Sequence, residues 1–480
     1  MNKKMVFHII GRIIQVEACL LLLPLAVSLI YKEKCWSAFL ITIAVSLVLG
    51  TVMSLGSRVK NRVIYAKEGF VTVSLAWVLM SAIGALPFVI SGEIPSYVDA
   101  FFETVSGFTT TGASILTDVE SMSKGLLFWR SFTHWIGGMG VLVFVMAIIP
   151  SITDRSIHII RAEMPGPIVG KIVPKVKNTA KILYIIYIAM TVVEIILLCI
   201  GKMPFFESVV HSFGSAGTGG FGVKADSIAG YSPYLQWVIT VFMFLFGANF
   251  NLYYLILAGK IKDALKSQEL WAYVGIAFLS AAAIVVNTRS MFGSIGEAVR
   301  ASAFQVSSIM TTTGYATTDF NLWPAFSKTV LILLMCIGAC AGSTGGGLKV
   351  SRVVLLFKMI KKELRHMLHP RSVNVVKFEG KTVGKSVITN VSIYFAVYVA
   401  VLLSAFLLLS FENSSLETNF TAAVACFNNI GPGLAEVGPT ANYVFYSPFS
   451  KIVLSLAMLF GRLEIFPMLF LFSKSSWSKN

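Results

Sequence analysis

Four times in this chain a short apolar segment runs into a turn rich in threonine, glycine or asparagine, and then into a long hydrophobic run. The first turn is Phe108-Thr-Thr-Thr-Gly-Ala-Ser114, behind the apolar-aromatic stretch Tyr97 to Phe108. The third, Met310-Thr-Thr-Thr-Gly-Tyr315, is nearly a second copy. Gly217-Thr-Gly-Gly-Phe221 and Asn428-Asn-Ile-Gly-Pro432 are degenerate versions. A bilayer crossing takes about 20 apolar residues, so each short segment must enter and turn back. Non-helical backbone at membrane depth is tolerated only where protein buries it or where it lines a cavity. The rest of the chain therefore reads as a frame that gathers four turns around one axis.

Composition places that frame in lipid. Of 480 residues, 56% are hydrophobic and 13% charged, against about 25% charged in soluble globular proteins. A formal charge of +16 would suit nucleic acid. Here the basic residues lie between hydrophobic runs and not on a soluble domain, so cytoplasmic loops rich in Lys and Arg explain the sign and no nucleic-acid partner is expected. The cysteines (Cys19, Cys35, Cys199, Cys336, Cys340 and Cys426) fall mostly in hydrophobic runs without zinc-ligand spacing. Cys336 and Cys340, four residues apart, read as packing on one helical face. His134 and His211 lack metal-site companions. The N-terminal apolar run has no small-residue cleavage site and is long enough to span, so it reads as a membrane helix and not a signal peptide.

About ten crossings are expected: Ile9 to Tyr31, Trp36 to Leu55, Phe70 to Ile90, Leu126 to Ile149, Ile182 to Ile200, Leu235 to Ala258, Leu270 to Val286, Phe326 to Phe357, Val387 to Leu409 and Phe449 to Phe472. The eighth is interrupted by Gly345-Gly-Gly347. Basic clusters at Arg58–Arg62 with Lys67, at Arg155 to Lys181, at Lys260 to Lys266 and at Lys358 to Lys385 fall on one side if both termini are cytoplasmic, as the positive-inside rule requires. Lys32 and Lys34 are a mild exception. All four turns then lie on the outer side of the membrane.

After two N-terminal helices (residues 1–57) the chain repeats four times as helix, short helix, turn, helix: 58–177, 178–266, 267–380 and 381–480. Gly112, Gly220, Gly314 and Gly431 recur about 100 residues apart, far beyond a solenoid period of 20–50. Ala-Phe-Phe-Glu-Thr-Val-Ser before the first turn matches Ser-Ala-Phe-Gln-Val-Ser-Ser before the third. The expected fold is an all-α polytopic membrane protein with a pseudo-fourfold pore. A helix that stops midway turns its negative C-terminal end toward the axis, which favours a cation. Glycine permits the backbone angles and close approach that carbonyl-lined turns need, and rings of carbonyls can replace the water shell of a cation.

With Trp135-Ile-Gly-Gly-Met-Gly140, Arg161-Ala-Glu-Met-Pro-Gly166, the four turns and Gly461-Arg462, the sequence resembles the Trk/Ktr/HKT superfamily of potassium transporters, in its bacterial TrkH/TrkG branch, over nearly its whole length. The resemblance implies potassium as the transported ion and no cofactor. It implies a selectivity filter of Thr109, Thr110, Thr111, Gly112 and Ala113; Gly217, Thr218, Gly219, Gly220 and Phe221; Thr311, Thr312, Thr313, Gly314 and Tyr315; and Asn428, Asn429, Ile430, Gly431 and Pro432. Glycine at all four selectivity positions leans toward potassium over sodium. A gate below the filter is implied at the loop Ala341 to Gly347, with Gly345, Gly346 and Gly347, and at Arg462. The resemblance further implies a homodimer with one pore per protomer and a TrkA-like cytoplasmic nucleotide-binding regulatory subunit. A positive charge on the path of a cation is in itself a barrier.

Other residues have two readings each. Asn249 and Asn251 either line a cavity or bridge helices. Glu17, Arg130, His134 and Glu194 are intramembrane ionisable groups, functional by default or structurally paired. Glu464 either satisfies a buried neighbour or sets its helix. Asp118, Glu120, Asp226, Asp319 and Glu436 either concentrate cations at the mouth or are simply solvated. Gly345-Gly-Gly-Leu-Lys-Val350 does not match a phosphate-binding loop. No enzyme is expected, for the sequence has no nucleophile–base set. The alternative is a sodium- or proton-coupled secondary transporter, which would favour inverted repeats; here every repeat starts on the inside.

Overall fold

Glycine lets the first two crossings approach closely. In the computed structural model, which describes residues 2–56, 66–140, 176–372 and 374–477, α1 (Lys3–Leu20) and α2 (Leu22–Ile30) form one apolar rod, and α3 (Trp36–Gly56) returns beside it. A Cβ on Gly11 would lie 2.7 Å from the Gly50 carbonyl oxygen, and one on Gly50 equally close to that of Gly11. Such small-residue contacts are how membrane helices pack tightly without a hydrophobic driving force between them.

Four helical units follow. The first has α4 (Ala66–Gly84) with α5 (Leu86–Ser91), the short α6 (Tyr97–Phe108) and α7 (Lys124–Gly138). The second has α8 (Val176–Ile200), the short α9 (Phe205–Gly217), α10 (Pro233–Phe246) and α11 (Phe250–Leu257), then a single turn, α12 (Ile261–Leu265). The third has α13 (Gln268–Thr288), the short α14 (Ile295–Met310), α15 (Ala325–Ile337) and α16 (Val350–Leu368), ending in a hairpin of β1 (Lys377–Phe378) and β2 (Lys381–Thr382). The fourth has α17 (Lys385–Leu409), the short α18 (Leu416–Phe427), α19 (Pro448–Arg462) and α20 (Phe466–Phe472).

Serine caps fix where these helices begin. Ser96, Ser294 and Ser415 accept backbone N–H groups at the starts of α6, α14 and α18, and Ser232-Pro233 and Ser447-Pro448 do the same for α10 and α19. The units join in a ring: α7 packs on α9, α10 on α14, α15 on α18, and α19 back on α6. Large apolar side chains such as Leu22, Val48, Ile200, Val286 and Leu407 remain exposed, and they form the surface that lipid covers.

Among the described residues, six helices or helix pairs are long and apolar enough to cross a membrane: Lys3–Ile30, Trp36–Gly56, Lys67–Ser91, Lys181–Ile200, Gln268–Met291 and Lys385–Leu409. Three of the runs expected to cross, Leu235 to Ala258, Phe326 to Phe357 and Phe449 to Phe472, are bent or broken rather than straight. Helix α7 stops at Gly138, and the run on to Ile149 lies outside the described residues. Between α10 and α11 the chain bends by 90°, where Asn249 caps the new helix by accepting the Asn251 amide at 3.0 Å. The run Phe326 to Phe357 is broken over the whole stretch from Gly338 to Lys349, and not at three glycines alone. Gly338 has φ +72, and Glu464 and Ile465 after α19 have φ +54 and +67; none of these fits a right-handed helix. Cys336 and Cys340 consequently do not share a helical face, because α15 ends between them. The basic cluster at 58–62, the residues Arg155, Arg161, Lys171 and Lys175, and the 161–166 motif also lie outside the described residues.

Candidate functional site

All four short helices stop in the same way. One residue past each helix, or two, takes the left-handed conformation: Thr110 (φ +56), Thr218 (+54), Thr312 (+60) and Asn429 (+58). The next amide reaches back to the last turn, from Thr111 to Ser106, Gly219 to Gly214, Thr313 to Ser308 and Ile430 to Ala425, at 2.8–2.9 Å. This is a Schellman closure, a position usually filled by glycine. Immediately afterwards come Gly112, Gly220, Gly314 and Gly431, with φ +81, +79, +85 and +95. Two residues of positive φ thus flank one of negative φ in every turn.

Side chains brace the turns from behind. Thr109 and Thr311 donate their hydroxyls to the Val105 and Ser307 carbonyls at 2.6 and 2.7 Å, and each meets the hydroxyl two residues on, Thr111 or Thr313, at 2.8 Å. Asn428 makes the same backward bond to Val424 with its amide, at 2.9 Å. The Tyr315 hydroxyl lies 3.1 Å from the carbonyls of His211 and Phe221, and Tyr443 donates to the Gly431 carbonyl at 2.6 Å. Asn429 donates to Thr111 Oγ1 at 3.0 Å and to the Met458 carbonyl at 2.9 Å, which links the fourth turn to the first.

The turns close a ring. A Cβ on Gly112 would strike the Gly219 carbonyl oxygen, one on Gly220 that of Thr313, one on Gly314 that of Ile430, and one on Gly431 that of Thr111. Each glycine therefore meets the carbonyl that precedes the glycine of the next turn, through one full circuit. Above the ring lies a vestibule lined by all four of these glycines, with Ala113, Phe221, Pro432, Arg130 and Lys224 at its wall. Below lies a second cavity lined by Gly345, Gly346, Gly347, Gly138, Phe250, Gly461 and Arg462.

The break after α15 sits directly beneath the turns. The Gly346 amide donates to Thr312 Oγ1 at 2.6 Å. A Cβ on Gly345 would crowd the Thr311 carbonyl and one on Gly346 the Asn428 carbonyl. Cys340 donates to the Gly247 carbonyl and Phe250 to the Gly342 carbonyl, both at 3.0 Å, so the break in the third unit is tied to the bend in the second. Arg462 closes the far side: its guanidinium donates to the carbonyls of Thr344 (2.7 Å), Gly138 (2.8 Å) and Gly137. Gly137 and Gly461 let their helices touch the ends of α6 and α18, where a side chain would meet the Phe108 and Phe427 carbonyls.

Several residues with two readings are placed. Glu464 makes a bidentate ion pair with Arg352, at 3.2 and 2.6 Å, and so satisfies a buried neighbour. Arg130 pairs with Glu103 at 2.5 Å, donates to the Gly222 carbonyl at 3.2 Å and lies over the Phe221 ring. His134 bonds the Gly107 carbonyl at 2.7 Å. Asn249 caps a helix, while Asp118 caps its own turn by accepting the Glu120 amide. Glu17 and Glu194 are fully buried and are not part of the ring. No group of three potential metal ligands occurs among the described residues. Sequence reasoning did not single out Glu269, whose Oε1 accepts the Ala341 and Ser351 amides, nor Lys349, which donates from its buried side chain to the Gly345 carbonyl. Their only signal is a charge at the edge of an apolar run.

The family model for TrkH, a cation transport protein, matches residues 36–479. The chain is 34% identical over 485 residues to the "Trk system potassium uptake protein TrkH" of Salmonella typhimurium, covering 99% of this chain and 100% of that one. It is 32% identical to the "Trk system potassium uptake protein TrkG" of Escherichia coli, covering 99% and 98%. The crystal structure of the potassium transporter TrkH from Vibrio parahaemolyticus superposes with a TM-score of 0.90 at 32% identity, over 100% of both chains.

Proposed function

The chain belongs to the TrkH family of cation transport proteins, a transporter family and not an enzyme family, and from that premise we propose that it takes up potassium through the ring of four turns. The ring of glycine-to-carbonyl contacts carries this reading. Alternating positive and negative φ lets successive carbonyls face one axis, and such oxygens stand in for the hydration shell of a cation. The ends of four short helices, each with its partial negative charge, converge on the same place. The selectivity filter is then Thr109 to Ala113, Gly217 to Phe221, Thr311 to Tyr315 and Asn428 to Pro432.

The loop Ala341 to Gly347 and Arg462 form the gate. The loop lies against the third and fourth turns, and the guanidinium spans from it to the end of α7. At an effective dielectric near 20, like charges about 4 Å apart repel by roughly 4 kcal/mol, so an arginine beneath the filter opposes a passing cation. In this reading the protein is a homodimer in the bacterial inner membrane, with both termini cytoplasmic and repeats at 58–177, 178–266, 267–380 and 381–480. Its basic cytoplasmic face receives a TrkA-like nucleotide-binding regulatory subunit. Relatives named as parts of a "Trk system" support a multi-component assembly.

Flux into liposomes holding the purified protein tests the reading, with K⁺, Rb⁺, Na⁺ and Li⁺ compared and no other gradient. Selective K⁺ and Rb⁺ flux down its own gradient, lost in Gly314→Ser, is expected. Flux that requires a sodium or proton gradient would replace the pore with a coupled transporter.

A further inference from the structure

One carboxylate holds both ends of the loop beneath the turns. Glu269, in the first turn of α13, is 5% exposed. Its Oε1 accepts the Ala341 amide at 2.7 Å and the Ser351 amide at 3.1 Å. These two amides flank the excursion toward the turns. The stems of that excursion are already side by side, because Leu348, Lys349 and Val350 donate to the carbonyls of Cys336, Ile337 and Ala339 at 3.1, 2.9 and 3.0 Å. Glu269 thus closes the neck of the loop from outside it. Two converging N–H groups make a small anion site, and bonds to a charged acceptor are about twice as strong as neutral ones.

The backbone that carries this carboxylate is itself held from the hairpin. Glu379, between β1 and β2, accepts the Ser267 hydroxyl and the Glu269 amide on one oxygen, both at 3.0 Å. Lys358 of α16 reinforces the same corner by donating to Gln268 Oε1 at 2.5 Å and to the Lys377 carbonyl at 2.8 Å. A continuous route therefore runs from the hairpin through the start of α13 to the neck of the loop, and from Gly346 to the third turn.

We infer that Glu269 is a positioning residue for the gate. It holds the loop in its closed place, and Glu379 couples that hold to the hairpin; the inference rests on the reading of the loop as the gate. Displacing the hairpin, or removing the acceptor, frees both stems together.

Basal Rb⁺ flux of the full-length protein in liposomes, without nucleotide or partner, tests this with four variants. Glu269→Ala should raise flux about tenfold, the factor expected for roughly one lost charge-assisted bond, with the Rb⁺/Na⁺ preference unchanged. Glu269→Gln should raise flux by a clearly smaller factor, because its amide oxygen still accepts both N–H groups but without the charge. Glu379→Ala should raise flux about twofold, for the loss of an exposed link. Arg462→Ala serves as the reference for the gate. Raised flux in Arg462→Ala with wild-type flux in Glu269→Ala overturns the clasp and leaves the gate standing. Unchanged flux in Arg462→Ala removes the gate reading itself. Equal rises in Glu269→Ala and Glu269→Gln would show that charge and not bond acceptance matters, which also overturns the inference. Should Glu269→Ala not fold, Glu379→Ala decides, and unchanged flux there is a refutation.

Discussion

The four turns are close copies of one another, whereas the helix breaks beneath them, among the described residues, differ from unit to unit. Every turn has the same closure, the same left-handed pair and the same glycine set against its neighbour's carbonyl. Below them, the chain bends by 90° between α10 and α11, makes a long excursion after α15, and ends α19 on an arginine. Fourfold likeness persists where oxygens from all units must converge on one point. It is abandoned one layer down. On the proposed reading, the contrast places two tasks, discrimination and opening, in adjacent layers.

The sharpest way to break this comparison is to add a methyl group to each ring glycine in turn. Each has positive φ and a carbonyl where the Cβ would go, so strain of about 1–3 kcal/mol adds to a steric collision. Alanine at Gly112, Gly220, Gly314 or Gly431 should lower the K⁺/Na⁺ permeability ratio by more than about tenfold, and by similar factors at all four. A position that tolerates it would show that its turn stands outside the ring. Arg462→Ala comes next. Its K⁺ flux should rise about tenfold or more, within the barrier that one nearby charge imposes, while the K⁺/Na⁺ ratio measured from reversal potentials stays fixed. A shift in that ratio would merge the two layers into one.

Asn429→Ala sharpens the upper layer alone. It removes the bridges to Thr111 and Met458 and should destabilise the detergent-solubilised protein by about 1–3 kcal/mol, read as a lower melting temperature that bound K⁺ partly restores. Neutralising Asp226 and Glu436, exposed beside the vestibule, should have the smallest effect. Initial flux should fall about twofold at low ionic strength and not at all at high salt; a salt-independent loss would mean that these carboxylates shape the turns.

The upper layer was legible in the sequence because its requirements are local. A positive-φ glycine at a fixed offset after a short apolar segment is visible in all four copies, whereas the left-handed Thr110, Thr218, Thr312 and Asn429 are not, because that position is usually glycine. The lower layer was legible only at its glycines and at Arg462. Hydropathy read Leu235 to Ala258 and Phe326 to Phe357 as straight or briefly interrupted crossings, since an apolar run has the same composition whether it is straight or bent. What bends it is a tertiary partner: the Gly342 carbonyl that receives the Phe250 amide, and the Gly247 carbonyl that receives the Cys340 amide. Glu269 is silent for the same reason, because nothing in its neighbours along the chain states that a loop from elsewhere will dock on it.

The ring of turns has an order of manufacture. Its last contacts join Gly431 to Thr111 and Asn429 to Thr111, the latter across 318 residues. Synthesis runs from the N-terminus and early units fold first, so a nascent chain carries three quarters of a ring for as long as the fourth unit is unmade. The closed ring does not exist until translation is nearly complete, and a truncated product lacks its fourth turn. Contacts of such long range are also the slowest to form, which makes closing the circle the natural last step in the birth of the protein.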